Sequence, residues 1–137
     1  MDFVLHPRLA ADTAFVLDWS LSRVLLMNDI RFPWLILVPR RAGVSELFDL
    51  DEAARAVLMN EIARAGEKLK AWARLHGGCD KINVGSLGNM VPQLHVHVVA
   101  RIAGDTAWPG PVWGAGEAVH YSADELARVT TELRGAL

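Results

Sequence analysis

Three short apolar runs open the chain, at residues 13–17, 23–27 and 34–38, each bounded by polar or turn-forming residues. Asp18, Trp19 and Ser20 suit a hairpin connection between the first two, Asn28 and Asp29 end the second, and Pro39 stops the third. Apolar strands with such short connections predict an antiparallel meander rather than alternating strand and helix. From about residue 50 to 76 the period changes. Ala54, Val57, Leu58, Ile62, Ala65, Leu69 and Trp72 recur at helical spacing with charges between them, which predicts one long helix. Asp49 and Glu52 read as its capping pair, and Gly77 and Gly78 as its end. Two more strands are predicted at residues 81–84 and 94–101, joined by residues 85–92. Residues 108–114 cannot form a regular element, because their prolines lack ladder donors. A last helix is predicted from Ser122, which pairs with Glu125 as a cap, to about Leu133. The expected fold is α+β: an antiparallel sheet of about five strands, one long packed helix and a C-terminal helix. No repeat or linker divides the chain, so residues 1–137 are expected to form one domain.

Composition narrows the function without naming it. Apolar residues make up 52% and charged residues 22%, the balance of a globular protein with a sizeable core. A net charge of −2 argues against a broad basic footprint for long nucleic acid, but not against a small anionic ligand held by local donors. Cys79 is the only cysteine, which excludes an internal disulfide and a thiolate-rich metal site. The apolar runs are too short to span a bilayer, and the N-terminus lacks the pattern of a leader, so a reducing cytoplasm is the expected location.

The candidate chemistry lies at residues 93–99. Side chains alternate across a strand, so Gln93, His95 and His97 share one face while Leu94, Val96 and Val98 share the other. Three polar side chains on one face of a central strand need partners, which suggests a surface that meets a ligand. The preceding loop carries Gly85, Gly88 and Asn89, and such a loop lets backbone N–H groups approach an anion closely.

Residues 83–101 resemble the signature region of the histidine triad (HIT) family, whose pattern is His, apolar, His, apolar, His, then two apolar residues. The upstream Asp29 after an apolar strand, the Val38-Pro39-Arg40-Arg41 ending and the Trp-Pro segment at 108–114 extend the resemblance over residues 20 to 114. It implies a nucleotidyl hydrolase or transferase that works through a covalent nucleotidyl-histidine, and the residues require no cofactor or metal. It also implies a homodimer and a small nucleotide as substrate, while the net charge and the short apolar runs leave long nucleic acid and a membrane out of the expected partners. By position His95 matches the nucleophile and His97 a donor to the phosphate oxygens. Asp29 and Ile30 match the ribose and base contacts, and Asn83, Gly88 and Asn89 the phosphate contacts. Imidazole has an ordinary pKa of about 6.5 and is a competent nucleophile near neutral pH when its other nitrogen gives its proton to an acceptor.

Three departures stand out. Gln93 occupies the place of the first histidine and cannot titrate near neutrality, Met90 replaces a hydroxyl residue and cannot donate, and Trp34 stands where some members carry a further histidine. They keep a second interpretation open, a nucleotide-binding module with little turnover. A zinc-dependent hydrolase built on His95 and His97 is a third, and it needs a third ligand such as His6, His76, His120 or Asp29. Read alone, Asp29 is equally a turn cap, and His95 and His97 can be sheet residues satisfied by neighbours.

Overall fold

The computed structural model describes residues 2–137. Its strands are β1 (Thr13–Asp18), β2 (Ser22–Met27), β3 (Trp34–Pro39), β4 (Lys81–Gly85) and β5 (Val96–Arg101), and its helices are α1 (Pro7–Asp12), α2 (Glu52–Arg74) and α3 (Ala123–Ala136). The strands form one antiparallel sheet in the order β1-β2-β3-β5-β4. The expected meander is β1-β2-β3. The long helix then returns the chain to the far edge, and β5 inserts between β4 and β3.

Strand alternation sorts the apolar residues onto two faces. Val16, Val24, Leu26, Leu35, Leu37, Val98 and Ala100 pack against Ala65, Leu69 and Ala73 of α2 and against Val129 and Leu133 of α3. Burying one such leucine is worth about 1.5–3 kcal/mol, so this layer holds the helices to the sheet. On the opposite face Leu25, Trp34, Ile36 and Val99 pack under Leu9 of α1, Val91 and Val112. That second face has no long helix over it. Short segments cover it, and there a cavity can open.

Several boundaries differ from expectation for identifiable reasons. The sequence pattern missed α1, a six-residue helix begun by Pro7 at its first position and capped by His6, whose Nδ1 accepts from Arg8 N at 3.1 Å. Asp49 does not cap α2. Its Oδ2 instead accepts from Ser45 and Glu46 N in the preceding 3₁₀ turn Leu47–Asp49, while Asp51 Oδ1 accepts from Ala54 N at 2.8 Å and starts α2. Ser122 caps α3 as predicted, accepting from Glu125 N at 3.2 Å. α3 runs on to Ala136. Within α2, Val57 is exposed, whereas Glu61 is buried and its carboxylate accepts from Leu21 and Ser22 N at 3.1 and 3.0 Å. That carboxylate satisfies backbone donors of the β1–β2 turn, a pairing that hydrophobic periodicity does not reveal.

Candidate active site

Strand β5 begins at Val96, so His95 lies just before the regular ladder and His97 within it, paired with Ile36 on one side and Gly85 on the other. Both imidazoles are 6% exposed, with ring centroids 5.0 Å apart in an edge-on arrangement. They line a cavity of about 310 Å³ together with Gly88, Asn89, Met90 and Val91 of the loop, Met27 and Ile36 of the sheet, and Arg8, Leu9 and Asp12 of α1. The expected histidine face and glycine-bearing loop therefore meet. His95 also lines a second cavity, of about 290 Å³, beyond the loop, with Ser45, Phe48, Ser86 and Gln93 on its walls.

Hydrogen bonds assign the protons of the two rings. His95 Nδ1 lies 2.6 Å from the carbonyl oxygen of Gln93. A carbonyl only accepts, so Nδ1 carries a proton, and in the neutral ring Nε2 keeps its lone pair. Ser86 Oγ donates to the carbonyl of His95 at 2.7 Å and steadies the same stretch of backbone. His97 is opposite in sense. Trp34 Nε1 donates to His97 Nδ1 at 3.0 Å, so a neutral His97 carries its proton on Nε2. Burial, and secondarily the charge of neighbouring His95, push His97 down to about 4. Trp113 packs against His97, its ring edge-on with centroids 5.3 Å apart. Gly85 makes that approach possible, since a Cβ there would lie 2.5 Å from Trp113 Cη2.

The remaining expected site residues divide. Gly88 and Asn89 lie on the cavity wall, Gly88 with φ +76°, a backbone state that side chains rarely adopt. Gln93 shares the carbonyl bond to His95, but its side chain points elsewhere: Oε1 accepts from His6 N at 2.8 Å and Nε2 donates to Val4 O at 2.9 Å. Asn83 Oδ1 accepts from Arg101 Nη1 at 2.9 Å and so serves the buried Arg101–Asp105 pair rather than the cavity. Asp29 is 1% exposed, and Arg31 grips it through its backbone N, Nε and Nη2 at 2.9–3.1 Å. Burial alone would raise the Asp29 carboxyl, but the bonds from Arg31 and Val119 N hold it below the ordinary range. Ile30 borders a different cavity, with Arg31, Trp72 and Tyr121. Neither Asp29 nor Ile30, expected at the ribose and base, lines the histidine cavity, and Asp29 is already engaged by Arg31.

Sequence reasoning missed the opposite wall, Arg8, Leu9 and Asp12. Its signal was present in His6-Pro7, a cap followed by proline at the first helical position, but so short a helix has little periodicity. Among the described residues no three His, Cys, Asp or Glu side chains converge so as to hold a metal ion, which leaves the zinc alternative without a third ligand. No helix among the described residues is long and apolar enough to cross a membrane.

Known proteins share this fold. A histidine triad protein from Bradyrhizobium japonicum superposes with a TM-score of 0.92 at 46% identity, covering 99% of this chain and 98% of that one. A histidine triad protein from Marinobacter aquaeolei VT8 gives 0.89 at 44% identity, covering 100% of this chain and 97% of that one. An AP-4-A phosphorylase of Mycobacterium tuberculosis is 41% identical over 73 residues, 52% of this chain and 37% of that protein. The chain thus spans little more than a third of the length of the curated relatives it matches. Residues 8–104, which include all of α1 but Pro7, the whole sheet and both histidines, match the HIT domain, and the chain belongs to that family.

Proposed function

We propose that this protein is a nucleotidyl hydrolase that cleaves at the α-phosphate of dinucleoside polyphosphates or nucleoside phosphoramidates through a covalent nucleotidyl-His95. One observation carries the proposal: the Nδ1–H bond from His95 to the Gln93 carbonyl, which in the neutral ring leaves Nε2 free as a nucleophile on a residue that lines a cavity of nucleotide size. Nε2 of His95 attacks phosphorus, the leaving group departs with the bonding pair, and water then cleaves the N–P bond to release the nucleoside monophosphate. His97 Nε2–H, with backbone donors near Gly88 and Asn89, stabilises the charge on the phosphoryl oxygens. The base packs against Leu9 and Met27, and Arg8 lies within reach of phosphate charge. The name of the mycobacterial relative supports a diadenosine polyphosphate as one substrate to try.

The test is direct. After rapid quenching, wild-type protein with diadenosine tetraphosphate should carry the mass of one nucleotidyl group on His95. His95→Ala should abolish turnover while AMP still binds. Retained turnover in that variant would rule out the mechanism. AMP binding with neither adduct nor product would favour the second interpretation, a nucleotide-binding module, for which the engagement of Gln93 by the N-terminal backbone is the specific support.

The family resemblance also leads us to propose a homodimer. Edge strand β4 carries exposed Val84 beside Leu47, Met59 and Ile62, an apolar surface suited to a second copy. Sedimentation of wild type and Val84→Lys should show a dimer and a monomer respectively.

A further inference from the structure

We propose that Trp34 is a positioning residue that fixes His97 as its Nε2–H tautomer, and that this narrows the two proposed substrate classes to the dinucleoside polyphosphates, whose leaving groups depart as oxyanions. The leaving-group part rests on the proposed role of His95 as nucleophile; the tautomer does not.

An indole nitrogen is a donor only, so the 3.0 Å contact from Trp34 Nε1 requires a lone pair on His97 Nδ1. A doubly protonated His97 would set Nδ1–H against that indole N–H. Trp34 cannot turn away, because it is 4% exposed and packed among Phe32, Ile36 and Val99. The rings of Trp34 and Trp113 flank His97 and bury most of its imidazole. His97 therefore offers one N–H to a phosphoryl oxygen and has no second proton to give.

No other group at the cavity replaces that acid. Gln93 does not titrate, and both ends of its amide are engaged by Val4 and His6. Met90 has no proton to donate. Arg8 keeps its protons, and Asp12, 3.8 Å from Arg8 in an ion pair, is an acceptor. His95 uses Nδ1–H on the Gln93 carbonyl. Bond making and breaking then proceed without proton transfer to the leaving group. The Nε2 lone pair forms the N–P bond, the P–O bond breaks with its pair on oxygen, and a phosphate or polyphosphate oxyanion leaves. Water later attacks phosphorus, the N–P pair returns to Nε2, and the water proton goes to solvent. An amine cannot leave this way, because it must be protonated as the P–N bond breaks.

Two experiments separate the parts. In ¹⁵N-histidine-labelled protein at pH 7, long-range ¹H–¹⁵N spectra, assigned by comparison with His97→Gln, should show His97 as the Nε2–H tautomer. In folded Trp34→Phe the Nδ1–H tautomer should become populated. An Nδ1–H or doubly protonated His97 in wild type would overturn the assignment without reference to any variant, as would an unchanged tautomer in folded Trp34→Phe. Separately, kcat/KM for diadenosine tetraphosphate should exceed that for adenosine 5′-phosphoramidate by about 100-fold or more, the scale of a missing general acid. Comparable rates, or preference for the phosphoramidate, would overturn the restriction. Turnover of neither would overturn both the restriction and the hydrolase proposal, while the spectrum would still decide the tautomer.

Discussion

Gln93 and His6 are joined across the length of the chain: the Gln93 side-chain oxygen accepts from the His6 backbone N–H at 2.8 Å, and its amide nitrogen donates to Val4 O at 2.9 Å. One side chain thus acts as an extra strand partner for the N-terminal segment, and that segment leads directly into α1, the wall of the histidine cavity. Gln93→Ala removes both bonds. Each is worth about 0.5–1.5 kcal/mol net, so backbone amides in residues 4–12 should exchange roughly tenfold faster while global stability changes little. Unchanged exchange there would show that packing alone seats the segment.

The same residue illustrates what was legible beforehand. The strand periodicity, the long α2, the cap at Ser122 and the pairing of a histidine strand with a glycine-bearing loop follow from local pattern, and the structure bears them out. The acceptor that the His95 ring needs proves to be the backbone carbonyl of Gln93, not its side chain. What stayed hidden is long-range. The bonds from Gln93 to His6 and from Trp34 to His97 join residues far apart in sequence, and the grip of Arg31 on Asp29 depends on how one turn folds. A polar residue can be seen to need a partner, but periodicity does not name the partner.

His97 should make the protein sensitive to acid. Its folded pKa, about 4, lies below the ordinary histidine value of about 6.5, so between those values the unfolded chain binds more protons than the native one. The stabilising contribution is complete above about pH 6.5 and is lost as the pH falls toward 4, with a total on the order of 3 kcal/mol. His97→Gln keeps an acceptor for Trp34 and does not titrate. Urea midpoints taken from pH 7 to 4.5 should fall more steeply in wild type than in this variant. Parallel curves would place the acid sensitivity in the carboxylates instead.

Gly85 is a second point where one atom decides the site. Adding a methyl group brings a Cβ to 2.5 Å from the Trp113 ring, which must then move off His97. Gly85→Ala should cost about 1–3 kcal/mol, the usual scale of overpacking. Because Trp113 screens His97, the pKa of His97 should also rise, visible as a higher titration midpoint of its ring signals. A stability loss with an unmoved midpoint would mean that the strand, and not the tryptophan, yields.

Asp29 and Arg31 settle how the proposed ribose contact must be tested. The carboxylate is buried and takes three bonds from Arg31, and Arg31 Nη1 in turn donates to Ala115 O at 2.6 Å. For Asp29 to meet ribose hydroxyls, Arg31 must release it, at a cost comparable to breaking a buried pair, about 3–5 kcal/mol. Two hydrogen bonds from a ribose to a carboxylate return about 1.5–3 kcal/mol each, so the exchange is close to balanced. If the pair holds, AMP and 2′,3′-dideoxy-AMP should bind within about threefold of one another, a difference below 1 kcal/mol. A tenfold or greater preference for AMP that disappears in Asp29→Asn would show that the carboxylate changes partner on binding. In that case Arg31→Gln should strengthen AMP binding while lowering stability, because the competing donor is gone and the buried carboxylate is left waiting for the ribose.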